Sequence, residues 1–337
     1  SSLEKTLLVG DFLFVSKVNY GARTPQTAVA LPMVHDSIPF AKTKSYLKYP
    51  QLPAFRLPGF EKPDHNDIMV FNWPVDTIPY FGYKGKERFD KPIDKKSNYV
   101  KRTVGLPGDD LQIKDGVVYI DNKVLELDDR AKLQYRYKIV TDGTQLDPNF
   151  VYNDLKVTDG AFQIAADTVL IPALTFEAAE RLKTLSNVKA VIKDVETKGD
   201  LRTFPHNQQW NADNYGPIHI PAKGETVQLT TANLPMYFMI IKDYENNKLE
   251  VANGKILING TEATSYTFNQ DYYFMMGDNR HNSADSRYWG FVPQDHIVGK
   301  PVFVWMSLDQ NVPLGKLFDK VRWERMFTTV HGTGKPH

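Results

Sequence analysis

Two stretches of this chain share a pattern that leaves little room for a helical fold. Residues 111–123 read LQIKDGVVYIDNK, and residues 249–261 read LEVANGKILINGT. Each holds a run of alternating apolar and polar side chains, an Asp-Gly or Asn-Gly pair, and a second such run. Those dipeptides tolerate the positive φ angles of a two-residue hairpin turn, and a period of two suits a half-buried strand. Short apolar runs at 67–71 and 98–104 extend the pattern, the second stopped by Gly105-Leu106-Pro107-Gly108-Asp109. The run at 7–15, interrupted at Gly10 and Asp11, reads as a buried strand near the start. The best helix is 176–185, with Thr175 as its N-cap. The 21 Gly and 21 Pro residues agree with a chain rich in strands and loops.

The segment between the two hairpins has strands of its own and the helix. The expectation is therefore a mainly β protein: a discontinuous antiparallel β core of residues 1–114 and 270–325, and a large inserted, mostly β domain at 115–269 containing the short helix. A C-terminal tail follows at 326–337. A chain of 337 residues suits about two domains. Segment 19–66, rich in Pro and aromatics, reads as a long connection or an ordered insertion. With 41 basic against 40 acidic residues the net charge is +1, so no electrostatic footprint for nucleic acid is present. The chain has no cysteine, which excludes disulfides, thiolate metal sites and cysteine nucleophiles. It also lacks HExxH, EF-hand, Walker A and GxGxxG patterns, and neither a metal nor a cofactor is expected. No run reaches the ~18 apolar residues needed to span a bilayer.

Three segments stand out: Ser2-Leu3-Glu4-Lys5-Thr6-Leu7, then Lys101-Arg102-Thr103-Val104-Gly105-Leu106-Pro107-Gly108-Asp109, then Gly277-Asp278-Asn279-Arg280-His281-Asn282-Ser283-Ala284-Asp285-Ser286-Arg287. At these residues the chain resembles the bacterial type I signal peptidases. Their motifs read roughly S-M-x-P-T-L, K-R-x-x-G-L-P-G-D and G-D-N-R-x-N-S-x-D-S-R, in that order. Asp67-Ile68-Met69-Val70-Phe71 is similar to the family's G-D-I-V-V-F strand. The resemblance covers the discontinuous core well and the insertion poorly. It implies a serine endopeptidase that removes N-terminal signal peptides from exported preproteins through a Ser-Lys dyad and an acyl-enzyme. Carried over by motif position, Ser2 is the nucleophile, Lys101 the general base and Ser283 the hydroxyl that orients the lysine amine. Leu3, Leu7, Tyr99 and Val100 are expected to line pockets for small residues at the first and third positions before the cut. Arg102, Asp278, Arg280, Asp285 and Arg287 are expected to support the site by ion pairing. The chain departs from the pattern at Leu3 for Met, Lys5 for Pro, and His281 for Asp. The last offers a rival general base.

The chemistry is physically reasonable for these side chains. A serine hydroxyl is a poor nucleophile until a base takes its proton. A free lysine titrates near ~10.4, and lowering it to about 8 takes roughly 3 kcal/mol of differential solvation. Burial among apolar groups can supply that. In a strict strand Tyr99, Lys101 and Thr103 share one face, and Val100, Arg102 and Val104 the other. The resemblance also implies the bacterial cytoplasmic (inner) membrane, with the catalytic part on the extracytoplasmic, periplasmic side and a hydrophobic anchor upstream of Ser1. The aromatic loop at 73–83 is the candidate contact with a lipid surface. In the family, a Ser or Thr two residues before the nucleophile donates to the oxyanion hole. That position precedes Ser1, so the chain from Ser1 onward is expected to be a weak enzyme. Two other readings stand beside this one: a self-cleaving repressor-type Ser-Lys protease, and a catalytically silent member of the fold that binds export substrates.

Overall fold

The apolar runs assemble into one six-stranded sheet, in the order Asp11–Ser16, Ile297–Ser307, Ile68–Asn72, Asn98–Gly105, Tyr272–Met276, Val292–Pro293. Every neighbouring pair is antiparallel. The computed structural model describes residues 2–31, 34, 38, 43–77, 87–128, 131–309, 312–313, 315 and 317–330. Both faces of the sheet are covered. Met69, Phe71, Tyr273, Met275, Trp289 and Ile297 pack together on one side, and Ile68, Leu3, Leu7, Val304 and Val330 on the other. Ile68–Asn72 is buried along its whole length, which accounts for its unbroken apolar run.

The first strand differs from its expected extent. It begins at Asp11 rather than Leu7. Gly10 adopts φ +98, a Cβ there would meet Leu308 O at 1.9 Å, and the Asp11 carboxylate accepts the Leu8 N–H at 2.9 Å. These features turn the chain at 8–11, so residues 2–7 lie in turns beside the sheet instead of in it.

Both hairpins form. Asp110–Lys114 pairs with Val117–Ile120 around Asp115 (φ +48) and Gly116 (φ +79). Leu249–Ala252 pairs with Lys255–Ile258 around Asn253 (φ +52) and Gly254 (φ +76). Two positive φ angles in succession match the type I′ turn. The first hairpin joins Tyr215–His219 and Lys123–Val124 in a four-stranded sheet, so the border drawn at 114/115 falls in a turn inside that sheet. A second four-stranded sheet, ordered Val188–Lys193, Gln134–Thr141, Thr168–Thr175, Phe162–Ala165, carries the helix Phe176–Lys183. Thr175 caps that helix through the Ala178 N–H at 3.3 Å, and Ala178, Ala179 and Leu182 pack onto Ile139 and Ile171. A short helix, Leu234–Met239, and π-helical turns at Phe150–Asp154 and Ile240–Tyr244 had no clear signal in the sequence. The described residues of segment 19–66 are held by nested bridges Arg23↔Arg56, Thr27↔Gln51 and Ala30↔Tyr46. At the other end Val330 N–H donates to Val302 O at 3.0 Å, so the first part of the tail packs on the core.

Candidate active site

Strand register brings the three motifs together. Lys101 sits opposite Met69 on one neighbour, while Arg102 sits opposite Met276 on the other. The chain leaving Met276 therefore passes beside the lysine. Lys101 is 4% exposed, and its Nζ donates to Ser283 Oγ at 3.1 Å. The Tyr99 ring lies 5.6 Å from the same amine, on the face that alternation assigns to both residues. Burial lowers the Lys101 pKa from 10.5 to about 8. Asp285 and Asp278 pull it up, and Arg287 pushes it down. Desolvation thus outweighs the nearby carboxylates because those are already paired with arginines.

Ser2 reaches the site through its backbone. Its carbonyl accepts the Asn279 N–H at 3.0 Å. Gly277 makes that approach possible, since a Cβ there would lie 2.3 Å from Ser283 Oγ and 2.6 Å from Ser2 O. Ser2, Leu3, Leu7, Tyr99, Val100 and Lys101 line one cleft of about 290 Å³. The Ser2 hydroxyl has no hydrogen bond to Lys101 among the described residues. Such contacts are often loose without substrate.

The loop that carries Ser283 is fixed by two buried ion pairs. Arg102 grips Asp278 with two bonds of 2.8 Å, and Thr6 Oγ1 donates to the same carboxylate at 2.7 Å. Arg287 grips Asp285, whose Oδ2 also accepts the Gly277 N–H at 3.1 Å. Burial pushes both carboxyls up, but their arginine partners hold them below the ordinary carboxylate value. Arg280 departs from the expected ion pairing. It is buried and makes no ion pair among the described residues; its Nη1 meets Met276 Sδ at 3.8 Å. Asp278 and Asp285 are already engaged by Arg102 and Arg287. His281 is tied down at both nitrogens: Nδ1 accepts the Arg136 N–H at 3.1 Å and Nε2 meets Asp213 Oδ2 at 2.9 Å. Both nitrogens are thus engaged within the protein.

Trp73, the first residue of the aromatic loop, stacks on Tyr99 with ring centroids 5.0 Å apart and so turns toward the core. Residues 78–83 of that loop lie outside the described residues. Two contacts on the site had no sequence signal. Gln134 brackets the Ser283 loop, donating its N–H to Asp278 O at 2.8 Å and accepting the Arg280 N–H at 2.9 Å. Asp159 accepts from the side chains of Asn279 and Asn282. Both residues lie in the long stretch between the second and third motifs.

Comparison with known proteins gives the chain's relatives. The sequence profile described as signal peptidase, peptidase S26, matches residues 1–172 and 227–306. The signal peptidase I of Helicobacter pylori is 26% identical over 347 residues, covering 99% of this chain and 84% of that protein. The signal peptidase I of Buchnera aphidicola subsp. Acyrthosiphon pisum is 26% identical, covering 92% of this chain and 67% of that protein. The corresponding protein of Haemophilus influenzae is also 26% identical, over 98% of this chain and 67% of its own.

Proposed function

This chain belongs to the signal peptidase family, peptidase S26, and from that premise we propose that it removes signal peptides from preproteins with Ser2 as nucleophile and Lys101 as general base. The coarser statement, that it is a serine peptidase of the signal-peptide-removing class, follows from the family itself. One observation carries the finer one. A buried lysine amine, its pKa near 8, is held by Ser283 Oγ in the cleft that Ser2 also lines.

In this reading neutral Lys101 takes the Ser2 Oγ proton as that oxygen attacks the scissile carbonyl. The lysine then gives the proton to the departing amine of the mature protein, leaving the signal peptide esterified to Ser2. A water deprotonated by Lys101 attacks the ester and frees the enzyme. Ser283 keeps the amine lone pair aimed at Ser2. Arg102, Asp278, Asp285 and Arg287 hold the two strands and the loop in place. A preprotein lying extended in the cleft turns its first and third residues before the cut to the same side. Leu3, Leu7, Tyr99 and Val100 leave room there for small side chains. The division into a core of 1–114 with 270–325 and an insertion of 115–269 belongs to this proposal, with the first hairpin as the joint.

A lipid surface is the second partner we propose. Among the described residues no helix is long and apolar enough to cross a membrane. Aromatics, exposed but for the half-buried Phe303, gather on the first strand and its neighbour: Phe12 against Trp305, and Phe14 against Phe303, which also stacks on Phe327. Leu13, between those two phenylalanines, lines the cleft. This supports a site that works at a membrane interface.

The dyad is tested by preprotein cleavage with the full-length protein. Ser2→Ala and Lys101→Ala each abolish turnover with the fold intact. Ser283→Ala gives an intermediate loss, on the order of 1–3 kcal/mol in the barrier. His281→Ala keeps most activity. An active Lys101→Ala beside an inactive His281→Ala moves the base to His281 and ends the Ser-Lys assignment.

A further inference from the structure

Besides Gln134, the turn of residues 155–159 in the insertion touches the site. Leu155 and Val157 are buried in the insertion's own core. The residues between and after them turn the other way. Lys156 offers its carbonyl to Lys5 Nζ, and Thr158 Oγ1 donates to Glu4 Oε1. Gln134 Nε2 donates to the Glu4 carbonyl at 2.5 Å. Asp159 Oδ2 accepts from Asn279 Nδ2 and Asn282 Nδ2, each at 3.1 Å. Those two amides flank the reacting groups. The Asn279 N–H holds the Ser2 carbonyl, and Asn282 directly precedes Ser283.

We propose that this turn, with Asp159 as its main contact, is a positioning element for catalysis: it holds the Ser2 segment and the Ser283 loop in register with each other. The proposal rests on the roles given above to Ser2, Lys101 and Ser283. Its physical basis is a separation of tasks. The apolar side chains of the turn serve the insertion's core, while Lys156 and Thr158 are exposed and bury little surface. Their polar contacts add little to stability. What they do is fix the distance between two segments that a covalent link does not join. Displacing a reacting group by about 1 Å costs ~10²-fold in rate, so losing the contact appears in kcat. Neither the turn nor Asn279 and Asn282 lines the substrate cleft, and KM stays as it was.

Four variants of the full-length protein test this on a preprotein substrate. Asp159→Ala lowers kcat roughly 10-fold to 10²-fold with KM unchanged. Asp159→Asn restores most of the rate, because its carbonyl oxygen still accepts both amide protons at the Oδ2 position. Asn282→Ala, at an exposed residue, gives a smaller fall in kcat with an unchanged thermal midpoint; it decides the matter should Asp159→Ala fail to fold. Wild-type kcat in both alanine variants overturns the proposal, as does an Asp159→Asn rate as low as that of Asp159→Ala, or a loss carried by KM. Ser2→Ala is the control: residual wild-type turnover there means the nucleophile assignment is wrong, whereas an inactive Ser2→Ala beside a fully active Asp159→Ala refutes the positioning role alone.

Discussion

Lys101 brings a destabilising term with it. Below pH 8 both the folded and the unfolded chain carry its charge, and only the folded one holds that charge away from water. A pKa lowered from 10.5 to about 8 corresponds to about 3 kcal/mol against folding. Between those two pH values the unfolded chain binds more proton than the folded chain, so stability rises with pH across the window. Above 10.5 the penalty is gone. Lys101→Met, similar in length and uncharged, is expected to be more stable than the parent at pH 7 by up to about 3 kcal/mol, while losing all turnover. Denaturant unfolding of both proteins at several pH values from 7 to 10.5 checks it. The difference should shrink as the pH rises, and parallel curves would mean that the amine is not buried in its charged form. In the parent, kcat/KM should rise with pH through an apparent value near 8.

The turn before the first strand is where this chain leaves the family pattern most clearly. Lys5 stands where the related motif has proline, and its φ is +76. A proline ring fixes φ near −65° and cannot follow that path. Lys5→Pro should therefore lose more than about 1 kcal/mol and displace Ser2, while Lys5→Gly, which accepts positive φ freely, should remain within about 1 kcal/mol of the parent. Thermal midpoints and preprotein cleavage for the two variants distinguish this from a turn that simply tolerates both. The same turn marks the limit of what could be read from the chain alone. The hairpins around Asp115-Gly116 and Asn253-Gly254 were legible because their turn chemistry is local. The strand at 98–105 was legible from its apolar run, and the helix from its cap and spacing. The start of the first strand was not, because Gly10 and Asp11 interrupt an apolar run that still reads as continuous. The reach of Asp159 and Gln134 into the site was not legible either: each is an ordinary polar residue whose importance depends on partners more than 100 positions away.

At the scale of the whole molecule, exposed aromatics on the first strand and its neighbour bear on where the protein works. Phe12, Phe14 and Trp305 of the first and last long strands are exposed, and Leu13 between the two phenylalanines lines the cleft. The protein should float with liposomes, and Phe12→Ser with Trp305→Ser should release it to the aqueous fraction while a soluble peptide is still cut. Flotation unchanged in the double variant would move lipid contact elsewhere. The wiring of the sheet has another result. Thr6 meets Asp278 across 272 residues of chain, and Lys101 meets Ser283 across 182. During synthesis Ser2 and Lys101 emerge long before the loop that carries Ser283. Until that loop arrives, the amine lies in water at its ordinary pKa and is almost wholly protonated at neutral pH. With Ser2 and Lys101 in the proposed roles, a nascent or truncated chain is expected to be inert, with proteolytic activity beginning only when the last strands have closed the sheet.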